Sequence, residues 1–336
     1  MDPGSVADAG RVPHGSSDDP TVLDLSANIN PEVPDGTRAV YEEALADARS
    51  YPDDDYPAFR AAAAGYVGCE AARVVPTAGG LAAMRLGVGV TVSPGDSVLV
   101  PYPSFGEYAR EVELAGGDPV FVPHDELLDA DPAPHAMAVV CTPNNPTGDC
   151  PNADALRSFA DRCAAAETTL LADEAFLGFT DRESLAGREG CIVARSLTKL
   201  FGLPGLRAGF AVATGDRLDR LRTARPAWSL GTPAAAVGAH AMRDAAFVAE
   251  TRRRVRRERE HLREGLTTRG FDVHPSEAPF LLCDVGADPG DLLAACRERG
   301  VVLRDATTFR GLDGHVRIAV RDREATEELF AVLDSL

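Results

Sequence analysis

The apolar residues of this chain fall in short unbroken runs rather than in strict alternation. Five such runs, at 97–101, 136–141, 168–172, 191–195 and 210–213, read as strands apolar on both faces. Strands of that kind belong in a sheet covered by helices on either side. Val74-Val75-Pro76-Thr77 leads through Gly79-Gly80 into a helical pattern at 81–86, and further helical patterns occupy 36–48, 58–67 and 153–166. Strands and helices alternating in this way predict an α/β fold with a mainly parallel sheet. In such sheets ligands sit outside the carboxyl ends of the strands. Gly79-Gly80, Phe105, Asn145, Asp173 and Lys199 all stand just after predicted strand ends. The pattern therefore sends them to one crevice from across the sequence.

The two ends of the chain break this rhythm. Residues 1–20 are rich in Gly, Ser, Asp and Pro and read as an arm, followed by an extended stretch at 22–31. From about residue 233 the pattern predicts one long helix at 234–267, short strands near 271–273, 280–285, 301–304 and 316–320, and helices at 290–300 and 323–336. The expected organisation is an N-terminal arm and active-site lid at 1–35 belonging with a smaller domain, a large domain at 36–232, and a small α+β domain at 233–336. The long helix carries Arg252-Arg253-Arg254-Val255-Arg256-Arg257-Glu258-Arg259, which reads as a solvated face with glutamate partners.

Composition narrows the function classes. The 52 acidic residues against 34 basic ones leave a net charge of −18, which argues against a nucleic-acid partner. No apolar run reaches the length of a membrane span, and no apolar leader opens the chain, so the expectation is a cytoplasmic protein. The acid-rich, lysine-poor balance resembles that of proteins from high-salt, halophilic cytoplasm. Seven cysteines show neither a CxxC pair nor zinc-ligand spacing, so no metal is expected and the thiols read as reduced and structural.

Lys199 is the only lysine among the 336 residues; every other basic side chain is an arginine. An amine can lose its proton and attack a carbonyl, which a guanidinium cannot. If Lys199 forms an imine with an aldehyde cofactor, the chemistry needs a carboxylate on a pyridinium nitrogen, a neutral donor on a phenolate oxygen, a phosphate grip and an aromatic cover. Asp173, Asn145, the group Gly79, Gly80, Ser196, Thr198 and Arg207, and Phe105 or Tyr108 can supply these in turn. A substrate carboxylate calls for a bidentate arginine, and Arg304 and Arg317 are candidates.

The stretches Asn144-Asn145-Pro146-Thr147-Gly148, Asp173-Glu174-Ala175-Phe176 and Ser196-Leu197-Thr198-Lys199, with Arg207 eight residues on, resemble the fold-type I pyridoxal-phosphate enzymes of the class I/II aminotransferase branch. The resemblance runs from about residue 22 to the C-terminus. It implies a large domain with a mainly parallel seven-stranded sheet plus a smaller α+β domain. By it Lys199 is the Schiff-base lysine, Asp173 the pyridinium partner and Asn145 the phenolate donor. Ser196, Thr198 and Arg207 become phosphate ligands, and Tyr51 reaches the other subunit's cofactor in a homodimer with shared sites. Asp24-Leu25-Ser26-Ala27-Asn28-Ile29-Asn30-Pro31, Tyr51-Pro52-Asp53-Asp54-Asp55-Tyr56 and Arg225-Pro226-Ala227-Trp228-Ser229 resemble threonine-phosphate decarboxylases of cobalamin biosynthesis. That implies a small phosphorylated amino-acid substrate held by His14, Asn28, Tyr56, Arg304 and Arg317. Histidinol-phosphate aminotransferases, the neighbouring activity, carry Glu where Ile29 stands and Tyr where Phe176 stands. A PLP aminotransferase remains the second expectation, and a non-catalytic regulatory protein a remote third. One departure from the family pattern is that Gly80-Leu81-Ala82 offers the phosphate backbone groups only.

Overall fold

The structure of the protein, a computed structural model, describes every residue except Ala9 and the side chain of Asp8. After the two-residue strand β1 (Leu23–Asp24) come the seven strands of the large sheet. They are β2 (Val74–Thr77), β3 (Ser97–Tyr102), β4 (Asp118–Pro123), β5 (Met137–Cys141), β6 (Thr169–Asp173), β7 (Cys191–Ser196) and β8 (Gly209–Val212). Their spatial order is β2-β8-β7-β6-β5-β3-β4, parallel except for β8, which runs against both neighbours. β5 and β6 are buried along their whole length, which is why their sequences are apolar without alternation. Successive residues feed opposite faces. Leu170 and Ala172 join one core with Leu99 and Val140, while Leu171 joins the other with Val98, Val139 and Ile192.

β4 escapes the sequence pattern for a physical reason. It is the edge strand, half exposed, and it begins and ends beside proline in Asp118-Pro119-Val120-Phe121-Val122-Pro123. Proline is tolerated there because an edge needs no complete ladder of N–H donors.

The C-terminal lobe is a four-stranded antiparallel sheet of β9 (Asp272–Val273), β10 (Phe280–Asp284), β12 (Arg304–Asp305) and β13 (His315–Ala319), in the order β12-β13-β10-β9. The remaining strand β11 (Val301–Val302) pairs in parallel with β1, so the N-terminal stretch is hydrogen-bonded into this lobe. The single long helix expected at 234–267 is two helices, Thr232–Arg243 and Ala245–Thr268. They break at Asp244, whose carboxylate accepts from Phe247 N at 2.9 Å and caps the second helix. The first packs on the large domain. A Cβ at Gly238 would stand 2.6 Å from Phe59 and 2.9 Å from Leu197.

The arginine run on Ala245–Thr268 is less solvated than its sequence suggests. Arg252 Nε donates to Gly178 O at 2.8 Å, Arg254 is buried with Nη2 on Asn30 Oδ1, and Arg259 Nη1 donates to Glu277 O at 2.8 Å. These contacts bind the helix to both lobes, while Arg253 and Arg256 pair with the exposed acids Glu250 and Asp181, and Arg257 with the buried Glu258. All seven cysteines are free, and no helix among the described residues is long and apolar enough to cross a membrane.

Candidate active site

A cavity of about 430 Å³ opens where β6 and β7 end, bounded by the C-terminal lobe and the N-terminal arm. Lys199 stands in it three residues after β7, its amine 5.9 Å from the ring centroid of Phe176. Burial and the Arg317 guanidinium lower its pKa to about 8, although Asp173 pulls the other way. The one lysine of the chain is thus half neutral at about pH 8, well below the ordinary lysine range. Asp173 is the last residue of β6 and is 6% exposed. Burial raises its pKa, opposed by hydrogen bonds from Tyr108 Oη to Oδ2 at 2.6 Å and from Ala175 N to Oδ1 at 3.0 Å.

One end of the cavity is built to take an anion. The helix Gly80–Gly89 starts there from Gly79, at φ +94. A Cβ on Gly79 would lie 2.6 Å from Arg207 Nη2, so only glycine lets the guanidinium rest on the backbone at this helix start. Arg207 itself takes a left-handed conformation, φ +52, which turns its side chain back toward Gly79. Gly80 faces Ser196 closely, since a Cβ there would sit 3.1 Å from Ser196 Cβ. Ser196 Oγ accepts from Thr198 N at 3.2 Å. Leu81 lines the same end.

The opposite wall carries two arginines. Arg317, on β13, is buried; Nη1 donates to Asn145 Oδ1 and Nη2 to Ser26 O at 2.9 Å, and Nε has no partner among the described residues. Burial and the nearby Arg304 push its pKa down to about 9. Arg304, on β12, donates to Pro13 O at 2.9 Å and Thr308 Oγ1 at 2.8 Å. Asn28 also lines the cavity, buried, with an Oδ1 that has no hydrogen-bond partner among the described residues. His14 reaches in from the arm, its ring 5.8 Å from that of Phe105.

Three of the sequence candidates lie elsewhere. Tyr108, considered as an aromatic cover, stands behind Asp173 and donates to it, while Phe105 lines the cavity. Tyr56, expected at the substrate, is buried in the large domain. Its hydroxyl donates to Leu230 O at 2.8 Å and accepts from Leu230 N at 3.0 Å, which satisfies an interior turn. Tyr51 is 79% exposed, outside the cavity, and stacks on Trp228 at 4.4 Å. Asp54 fixes that corner through a bidentate pair with Arg225, at 3.0 and 2.7 Å. Sequence reasoning missed Thr308 and Phe309, which support Arg304. They lie in a short loop whose only signal is the arginine before it.

The cradle at Gly79, the orphaned polar atoms of Asn28 and Arg317, and a low-pKa lysine beside a buried aspartate fit an aldehyde cofactor that carries a phosphate. Among the described residues no cluster of His, Cys, Asp or Glu could hold a metal ion. Comparison with known proteins agrees with this donor set. Histidinol-phosphate aminotransferase 2 of Archaeoglobus fulgidus is 31% identical over 328 residues, covering 94% of this chain and 93% of its own length. Threonine-phosphate decarboxylase of Salmonella typhimurium is 30% identical over 348 residues, covering 98% of this chain and 94% of its own. Histidinol-phosphate aminotransferase from Sinorhizobium meliloti, solved in complex with pyridoxal-5'-phosphate, has the same fold at a TM-score of 0.82 and 20% identity, covering 92% of this chain and 90% of that one. The family described as aminotransferase class I and II matches residues 20–333. The chain belongs to that family and is a pyridoxal-phosphate-dependent enzyme of fold type I.

Proposed function

We propose that the protein decarboxylates L-threonine O-3-phosphate to (R)-1-aminopropan-2-ol O-phosphate, a step of cobalamin biosynthesis. The observation that carries this reading is the placing of three arginines around Lys199, Arg207 at one end and Arg304 with Arg317 opposite. The cofactor's phosphate takes the first, and a substrate bearing both a phosphate and a carboxylate needs the other two. Arg317 is held rigid by Asn145 and Ser26, so a carboxylate on it is fixed in direction.

Pyridoxal phosphate, when bound, supplies an electron sink for the bond that breaks at the substrate's Cα. Gly79, Gly80, Leu81, Ser196, Thr198 and Arg207 would hold its phosphate, Asp173 its ring nitrogen, Asn145 Nδ2 its ring oxygen, and Phe105 would cover its ring. The Cα–carboxylate bond breaks, carbon dioxide leaves, and Lys199 Nζ delivers the single proton that Cα then needs. An amine with a pKa of about 8 both gives and recovers a proton easily at neutral pH. The assembly is a homodimer in which the exposed Tyr51 of each chain serves the other's site.

The second reading is an aminotransferase acting on histidinol phosphate, an activity that recurs among the relatives. Ile29 and Phe176 line the cavity with hydrocarbon and favour the smaller aliphatic substrate over an imidazole, which needs polar partners. Incubation of the loaded enzyme with threonine phosphate distinguishes the two. Carbon dioxide and the amino-alcohol phosphate are expected in equal amounts. Transamination of histidinol phosphate with 2-oxoglutarate, and no carbon dioxide, would sink the decarboxylase reading.

A further inference from the structure

Glu107 has no part in the chemistry above, yet it is a buried carboxylate at the rim of the cavity, 4% exposed. It opens the helix Glu107–Leu114, where the unpaired N–H groups favour a negative charge. Its Oε1 lies 3.0 Å from His14 Nε2 and its Oε2 accepts from Arg110 Nη1 at 3.2 Å. Arg110 Nε in turn donates to Gly10 O of the arm at 2.8 Å. Gly106 leaves room for the arm, since a Cβ there would stand 2.9 Å from Val12 Cγ1. The far side of the same arm segment is tied by Arg304, through Pro13 O. Residues 10–16 are therefore strapped between a helix of the large domain and a strand of the C-terminal lobe, and His14 is pinned by one nitrogen.

We propose that Glu107 is a positioning residue: it docks the arm and holds His14 through Nε2, leaving the Nδ1 edge of the ring beside Arg304 for a phosphate monoester. The inference deepens the reading of the substrate as a phosphorylated one. The charged groups facing His14 are Glu107 and Arg110 from the helix and Arg304 from β12. The phosphate subsite is then completed only when the arm is docked.

Arg11 is exposed on the arm, so tryptic cleavage after it reports docking in the loaded enzyme. With inorganic phosphate as the probe, cleavage at Arg11 should slow in the wild type. In Glu107→Gln, cleavage without phosphate should be about tenfold faster and phosphate protection should be largely lost, the effect of one charge-assisted hydrogen bond. His14→Gln, at a half-exposed position of the arm, should lose the same protection. Adding E107Q to it should then change protection no further. In steady-state kinetics with threonine phosphate the loss in E107Q should fall on KM more than on kcat. Wild-type protection in E107Q, or an undiminished E107Q effect in the H14Q background, would overturn the proposal. The cleavage assay involves no turnover. Glu107-dependent protection in an enzyme that releases no carbon dioxide would therefore remove the named substrate and leave this inference standing.

Discussion

At the scale of single residues the site depends on what burial does to charge. Lys199 and Asp173 are both taken out of water, and burial moves their pKa values in opposite directions, each toward the neutral form. Lys199 falls from 10.5 to about 8, so between those limits the unfolded chain keeps a proton that the folded chain has lost. Stability contributed at this position is full above 10.5 and is lost as pH falls through 8, on the order of 3 kcal/mol in all. Reactivity runs the same way. Because Lys199 is the sole lysine, amine labelling of cofactor-free protein reads one side chain besides the N-terminus. Labelling of the Lys199 peptide, followed by mass spectrometry across pH, should be half-maximal near 8. A midpoint at the ordinary lysine value would show that Arg317 and burial do not act on it as argued. The sequence made this lysine conspicuous. It could not show that Tyr108 turns its hydroxyl to Asp173 rather than its ring to the cavity, because helix phase, and not residue type, decides that.

Elements place these residues where propensity alone does not. Six of the seven strands end at one edge and β8 begins there, and the loops after β6 and β7 and the helix after β2 meet at it. The apolar runs announced β3, β5, β6, β7 and β8, since double-sided burial writes itself into sequence. The edge strand β4, with prolines and a half-exposed face, writes almost nothing. Tyr56 was legible as part of a motif but not as an interior residue, because its partner Leu230 lies 174 positions away. The turn from β2 into Gly80–Gly89 is the element most exposed to a small change. Gly79→Ala places a Cβ at φ +94, where side chains are strained, and drives it against Arg207. Cofactor affinity, followed by the visible absorption that bound pyridoxal phosphate confers, should fall at least tenfold. Far-ultraviolet circular dichroism should stay that of the wild type, since the loss is local. Unchanged affinity would mean that Arg207 does not need the open backbone at Gly79.

Across the whole molecule the charge balance sets how the fold responds to its solvent. Two contributions compete when salt is added. Ion pairs weaken, which destabilises, and repulsion within the acidic excess weakens, which stabilises. The pairs on the helix Ala245–Thr268 that are most exposed, such as Arg253 with Glu250 and Arg263 with Glu260, are of the three-residue-spaced kind worth a few tenths of a kcal/mol each. The pairs that join elements are better shielded. Arg195 and Glu174 are both buried at 3.0 Å, and Glu111 lies under Arg85 at 2.6 Å, so salt reaches them poorly. Against these small losses stands a net charge of −18 spread over one chain. Relief of repulsion should win. Raising salt from about 0.1 M to about 1 M shortens the screening length from roughly 10 to 3 Å. The melting temperature should rise by a few degrees in sodium and potassium chloride alike, because screening does not depend on which of the two cations supplies it. A flat or falling melting temperature would mean that the acidic side chains are already neutralised by the arginines around them.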